Sequence, residues 1–155
     1  MKFWIALGSG LLTMAGVTMV ALTAMMSMPT VDPQQHECLA MNIYHEARGE
    51  RWEGQIAVAH VTMNRVAHDE WPNNVCDVVY QKKQFSWTHV VKDVKPRERK
   101  AWNDATVIAR DVMLGNTEDP TQGAQFYHAN YVNPWWSYEY ELKKVIGNHL
   151  FYALD

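Results

Sequence analysis

Several kinds of protein are excluded by what this chain lacks. It holds only 2 cysteines in 155 residues. They are not spaced as C-x-x-C, so neither a thiol zinc site nor a dithiol redox motif is supported. No H-E-x-x-H is present, because His45-Glu46 is followed by Ala47-Arg48-Gly49. Lys and Arg number 14 against 17 Asp and Glu, for a net charge of -3. No basic stretch is interleaved with aromatics, which speaks against a nucleic-acid partner. There is no internal repeat and no low-complexity tract beyond the N-terminal run. Charge is nearly absent from the start, where Lys2 alone precedes Asp32.

What is present begins with that uncharged run, residues 3–28. It is long enough to cross a bilayer hydrocarbon core, which takes about 20 residues. Lys2 sets a cytoplasmic N-terminus and puts the body of the chain on the far side of the membrane. The expected organisation is therefore a membrane signal-anchor over residues 1–28, a linker over 29–37 and one domain over 38–155. A cleaved secretory signal is the competing reading, disfavoured by the length of the run and by Leu22, which spoils an A-x-A site ending at Ala24. In an oxidising compartment beyond the membrane, Cys38 and Cys76 read as a disulfide tying the first helix to the third, with two buried thiols as the alternative.

Past the linker the texture is helical, then strand-like. A first helix is expected from Pro33 to Arg48, stopped by Gly49, and a second from Trp52 to Val66, with Trp52, Ile56, Ala59 and Met63 forming its apolar stripe. A short helix covers Val75 to Tyr80. Gln84-Phe85-Ser86-Trp87-Thr88 alternates as a half-exposed strand or a cleft-lining turn does. A long helix is expected from Pro96 to Gly115. From Gly123 on, short aromatic runs alternate with turn residues. Gly147-Asn148 between two apolar pairs reads as a hairpin turn. Of the seven Trp and seven Tyr, those after residue 120 cluster; flat aromatic faces suit sugar rings and equally suit an aromatic core.

One carboxylate stands out. Leu39, Ile43 and Ala47 recur at helical spacing, and Glu46 projects from the edge of that buried stripe just before the glycine break. Apolar surroundings disfavour the ionised form and raise a carboxyl pKa, as a general acid requires. A helix-surface charge is the plainer reading of the same pattern.

Taken together, Asn42-Ile43-Tyr44-His45-Glu46-Ala47-Arg48-Gly49-Glu50, Gly54 to Val61, Asn64-Arg65-Val66, Trp71-Pro72, Val78 to Gln81 and Gln84-Phe85-Ser86-Trp87 resemble the SleB/CwlJ group of spore-cortex-lytic and cell-wall hydrolases. Phe126-Tyr127-His128, Pro134-Trp135 and Ile146 to Tyr152 extend the resemblance, in order, over about residues 38–152. It implies an α+β fold: a lysozyme-like, mostly helical domain with a small antiparallel C-terminal sheet, here preceded by one N-terminal transmembrane helix. It also implies cleavage of the peptidoglycan glycan strand between N-acetylmuramic acid and N-acetylglucosamine, with Glu46 as general acid and then base. A second carboxylate would make the reaction a hydrolysis; its absence favours lytic transglycosylase chemistry, the side to which the resemblance leans.

Glu50 is the candidate second carboxylate if the helix continues through Gly49; the alternative is a surface charge paired with Arg48 or Arg51. Gln84, Ser86 and Trp87 are expected to bind and stack on sugar, and Tyr127 and His128 to lie on the strand facing the acid. His149 reads as structural or as a site residue. No cofactor and no metal are expected. The partners are peptidoglycan and, through residues 3–28, the inner membrane, with the catalytic domain in the periplasm. The weakly greasy anchor resembles the signal-arrest-release segments of phage endolysins. Rival readings are a zinc amidase or peptidase using His45, His60, His128 and His149, and an inactive wall-binding module.

Overall fold

The computed structural model describes residues 30–90 and 96–154. The expected anchor, residues 3–28, lies outside them; among the described residues no helix is long and apolar enough to cross a membrane. Helix α1 spans Pro33–Ala47, opened by Asp32, whose carboxylate accepts from the Gln34 and Gln35 amides at 2.9 Å, with Pro33 in the first turn. From Cys38 to Tyr44 the helix is buried on every side, the mark of a central helix rather than a surface one. It is packed by α2 (Trp52–Val66), α3 (Val75–Tyr80) and α5 (Arg99–Met113), with the single turn α4 (Trp87–Val90) between the last two.

Of the expected α2 stripe, Ala59 is buried in the core around α1 and Ile56 and Met63 pack against that core, while Trp52 does not. Trp52 is 48% exposed, and the buried positions are Gly54, Gln55, Ala57, Val58, Ala59, Val61, Thr62 and Arg65. The helix is gripped from two sides: Ala59 enters the core around α1, while Ala57 and Val61 meet Ala124, Ile146 and Phe151 of the sheet region. Small side chains sit where neighbours crowd, and the bulky Trp52 at the first position escapes past them.

The Gln84–Thr88 segment is a turn leading into α4, not a strand. Its amides close local bonds, Gln84 to the Gln81 carbonyl and Thr88 to that of Phe85. Helix α5 begins at Arg99 rather than Pro96, because the Arg97 and Glu98 amides both donate to the Tyr44 hydroxyl, at 3.1 and 3.2 Å, and Glu98 is held extended. Cys38 and Cys76 are joined as a disulfide, stapling α1 to α3.

Strands β1 (Phe126–Ala129), β2 (Glu141–Ile146) and β3 (His149–Ala153) form an antiparallel sheet in the order β1-β3-β2. The β2–β3 hairpin turns at Gly147-Asn148 as the pattern predicts, with Gly147 at φ +56°. The sheet lays Ile146 and Phe151 on α2. This brings β1 across the C-terminal end of α1.

Candidate active site

Glu46 occupies the last turn of α1, half-buried. The strand β1 alternates its side chains across the sheet, which sends Tyr127 toward the helices, and the Tyr127 hydroxyl donates to Glu46 Oε2 at 3.0 Å. Burial pushes the Glu46 carboxyl above its usual range, against the opposing pull of the Tyr127 bond and of the Arg65 charge. Burial also pushes the Tyr127 phenol well above its normal value, and the neighbouring carboxylate adds to this. Tyr127 therefore stays protonated and remains a donor.

Arg65, from α2, is the third member. Its guanidinium lies between the Phe85 and Phe126 rings, 5.5 and 5.7 Å from their centroids, and its Nε donates to the Gln125 carbonyl at 2.6 Å. That bond fixes the chain just before β1. The sequence pattern contained Arg65 only as part of Asn64-Arg65-Val66; it stands in the last turn of α2, where a basic residue is ordinary, so nothing local announced its buried task.

Glu50 is placed by neither of its two expected readings. Helix α1 ends at Ala47 and a turn follows, with the Glu50 amide donating to the Ala47 carbonyl at 2.9 Å. Arg48 pairs instead with Glu98 at 3.0 Å. The Glu50 carboxylate accepts from the Asn148 amide at 3.3 Å and from Asn148 Nδ2 at 3.0 Å, so it grips the hairpin turn. A Cβ added at Gly147 would lie 2.1 Å from Glu50 Oε2, so only glycine permits this approach. His149 Nδ1 stands 3.8 Å from Glu50 Oε1, and the His149 ring meets Tyr127 edge-on at 5.2 Å. Burial lowers the His149 pKa, outweighing Glu50, so the ring is neutral near pH 7. Glu50, His149, Tyr127 and Glu46 thus form a continuous series from hairpin to acid.

Other expected site residues fall elsewhere. Trp87 is buried, its indole N–H donating to Asn42 Oδ1 at 3.3 Å and its ring stacked on His45 at 4.4 Å; no open face remains for a sugar. His128 points to the opposite side of β1 from Tyr127, where Nε2 meets the Tyr152 hydroxyl at 2.9 Å. Adjacent strand residues cannot share a face, so only Tyr127 reaches the acid. Ser86 is exposed and Gln84 half-buried. His60 is bonded to Thr117 at 2.9 Å, and among the described residues no group of three His, Cys, Asp or Glu gathers to hold a metal ion.

The Glu46 carboxyl is thus desolvated at a helix–sheet seam, with a strand tyrosine donating to it. Residues 49–152 match the cell wall hydrolase family, and the chain belongs to that family. The matched segment contains Glu50, Arg65, Tyr127 and His149 and begins three residues after Glu46. Spore cortex-lytic enzymes are similar: that of Bacillus subtilis is 33% identical over 121 residues, 73% of this chain and 35% of the relative. That of Oceanobacillus iheyensis is 31% identical over 118 residues, 74% and 40% respectively. The chain thus spans about a third to two fifths of the length of these curated relatives. Among solved structures, the catalytic domain of the germination-specific lytic transglycosylase SleB from Bacillus anthracis superposes with a TM-score of 0.65 at 28% identity, covering 81% of this chain and 99% of that one. The catalytic domain of the Bacillus cereus SleB protein gives 0.61 at 30% identity, covering 80% and 94%.

Proposed function

We propose that this cell wall hydrolase cleaves the glycan strand of peptidoglycan between N-acetylmuramic acid and N-acetylglucosamine as a lytic transglycosylase, with Glu46 as general acid and base. The observation that carries the reading is the Glu46 carboxyl, held above its ordinary pKa by burial and oriented by Tyr127. Protonated Glu46 delivers its proton to the glycosidic oxygen as the C1–O bond breaks and positive charge develops on the muramic ring. The resulting carboxylate then takes the proton of that sugar's C6 hydroxyl while O6 bonds to C1. The anhydro ring closes and Glu46 is protonated again. Glu50, the nearest carboxylate in sequence, is engaged by the hairpin turn. This supports intramolecular closure over a route that needs a second free carboxylate.

The N-terminal run supports a further part of the reading, a single-pass tether of residues 3–28 in the inner membrane with the catalytic domain in the periplasm. Membrane fractionation and protease accessibility from the periplasmic side test it; recovery in the soluble cytoplasmic fraction overturns it.

The activity test incubates the full chain in detergent, beside Glu46→Gln, with purified peptidoglycan and identifies fragments by mass spectrometry. Anhydro-muropeptides that vanish in the variant are expected. New reducing ends would reassign the chemistry to hydrolysis, and free stem peptides that persist in the variant would overturn the Glu46 assignment.

A further inference from the structure

His149 is packed into the acid site through its ring, yet neither of its nitrogens is used there. In the register of the sheet Tyr127 lies opposite Phe151, and Ala129 lies opposite His149. Residues paired in this way share a face, as do alternate residues of one strand. Tyr127, Phe151 and His149 therefore stand together on the face that meets the helices. Their rings are in contact: from Tyr127 the centroid of Phe151 is 5.7 Å away and that of His149, met edge-on, 5.2 Å. Tyr127 in turn donates to Glu46. A single tyrosine thus separates His149 from the acid and touches both.

The two nitrogens have different surroundings. The side chain is only 11% exposed, and Nδ1 is buried, 3.8 Å from Glu50 Oε1 and without a hydrogen bond. Nε2 also has no hydrogen-bond partner among the described residues, but it is not closed off from solvent. His128, on the other face, differs: its Nδ1 meets the Ala129 carbonyl and its Nε2 the Tyr152 hydroxyl, both at 2.9 Å. In a neutral imidazole one nitrogen carries the hydrogen and the other a lone pair. A lone pair on Nδ1 would be repelled by the Glu50 carboxylate, whereas an N–H there is attracted, so the neighbour assigns the hydrogen to Nδ1. The carboxylate cannot swing away, because Asn148 holds it through two bonds. Nε2 is left as a fixed acceptor, one ring from the acid, to which nothing in the described chain donates. A metal ion would need further ligands, and among the described residues no three His, Cys, Asp or Glu gather.

Resting on the reading of Glu46 as the glycan-cleaving acid, we infer that His149 is a substrate-binding residue, whose Nε2 accepts a hydrogen bond from a hydroxyl or acetamido N–H of a sugar beside the cleaved bond. It holds the sugar in register and moves no proton.

The amide replacements for histidine separate its two nitrogens. Glutamine places an acceptor near the position of Nε2 and asparagine near that of Nδ1, while phenylalanine keeps a ring against Tyr127 and offers neither. Full-length Glu46→Gln chain in detergent micelles is co-sedimented with purified peptidoglycan sacculi, alone and with His149→Phe, His149→Asn or His149→Gln added. His149→Phe and His149→Asn are expected to weaken retention roughly three- to tenfold, the loss of one neutral hydrogen bond, and His149→Gln to restore most of it. Equal retention in all four chains overturns the proposal. Rescue by asparagine and not by glutamine also overturns it, by assigning the residue to its contact with Glu50. A loss in His149→Gln as large as in His149→Phe does the same. A second measurement needs no substitution at the residue: in histidine-labelled Glu46→Gln chain, nitrogen NMR should show the His149 Nε2 resonance unprotonated and moving when soluble disaccharide muropeptides are added. A resonance that stays still overturns the proposal. Because binding is read without cleavage, these results report on His149 even if Glu46 proves not to be the acid, whereas anhydro products that persist in Glu46→Gln would overturn the Glu46 reading alone.

Discussion

Replacing Tyr127 by Phe removes one oxygen and keeps the ring, so the edge contact with His149 and the packing on Phe151 survive. What is lost is the 3.0 Å bond donated to Glu46. That bond favours the ionised carboxyl and so opposes the desolvation that raises its pKa. Without it, Glu46 holds its proton to higher pH. A hydrogen bond to a charged group contributes about 1.5–3 kcal/mol, and about 1.4 kcal/mol corresponds to one pH unit. The alkaline limb of kcat/KM, which reports loss of the general acid in the free enzyme, should therefore move upward by about one to two pH units. The assay is the initial rate of release of soluble fragments from peptidoglycan across a pH series. Tyr152→Phe serves as the control, because that hydroxyl faces His128 on the other side of the sheet and its loss should leave the limb in place. A limb that stays put or falls in Tyr127→Phe refutes the assignment of Glu46 as the titrating acid under Tyr127's control.

Three further outcomes follow from the geometry. Glu46→Gln should lose roughly 10²–10⁴-fold in rate yet melt higher than the parent at neutral pH. With its folded pKa raised, Glu46 binds more proton in the folded state than in the unfolded one, so parental stability falls as pH rises from the unfolded value through the folded one, and the Gln variant lacks this decline; equal melting profiles from pH 4 to 8 would contradict it. Cys38→Ser with Cys76→Ser opens a loop of sequence separation 38, which costs about 4 kcal/mol on the chain-entropy account; chemical denaturation checks it, and a change below about 1 kcal/mol speaks against the bond constraining the unfolded chain. Gly147→Ala forces a Cβ to within 2.1 Å of Glu50 Oε2 at a φ of +56°; a loss of about 1–3 kcal/mol and of activity is expected in calorimetry and digestion assays, and a neutral result means that the hairpin can shift without disturbing Tyr127.

The helices were legible wherever a cap or a breaker acts locally. Asp32-Pro33, Asn74 and Gly49 mark their boundaries through groups within four residues, and the Gly147-Asn148 turn declares itself by the left-handed conformation it needs. Legibility failed where a distant group decides. Nothing in Pro96-Arg97-Glu98 announces that two of its amides will be taken by Tyr44, 53 and 54 residues away. The α2 stripe held at Ile56, Ala59 and Met63 but missed that the helix is packed on a second side, through Ala57 and Val61, and that Trp52 at its start lies exposed. Around the candidate site, the placement of Glu46 at the edge of a buried helix face was readable from periodicity, while the positions of Arg65 and Glu50 depend on where the sheet lies. His128 and Tyr127 could be told apart only once it was known which face of β1 meets α1.

The acid and its partners come from opposite ends of the domain. Tyr127 lies 81 residues beyond Glu46, and Asn148 lies 98 beyond Glu50. During synthesis the chain emerges with its carboxyl first and without the strand that orients it, and contacts of such long range form late. On the proposed reading, a domain built in this order carries its own delay: a nascent or truncated chain lacks the strand that desolvates and orients Glu46, and competence would arrive only when the final hairpin docks.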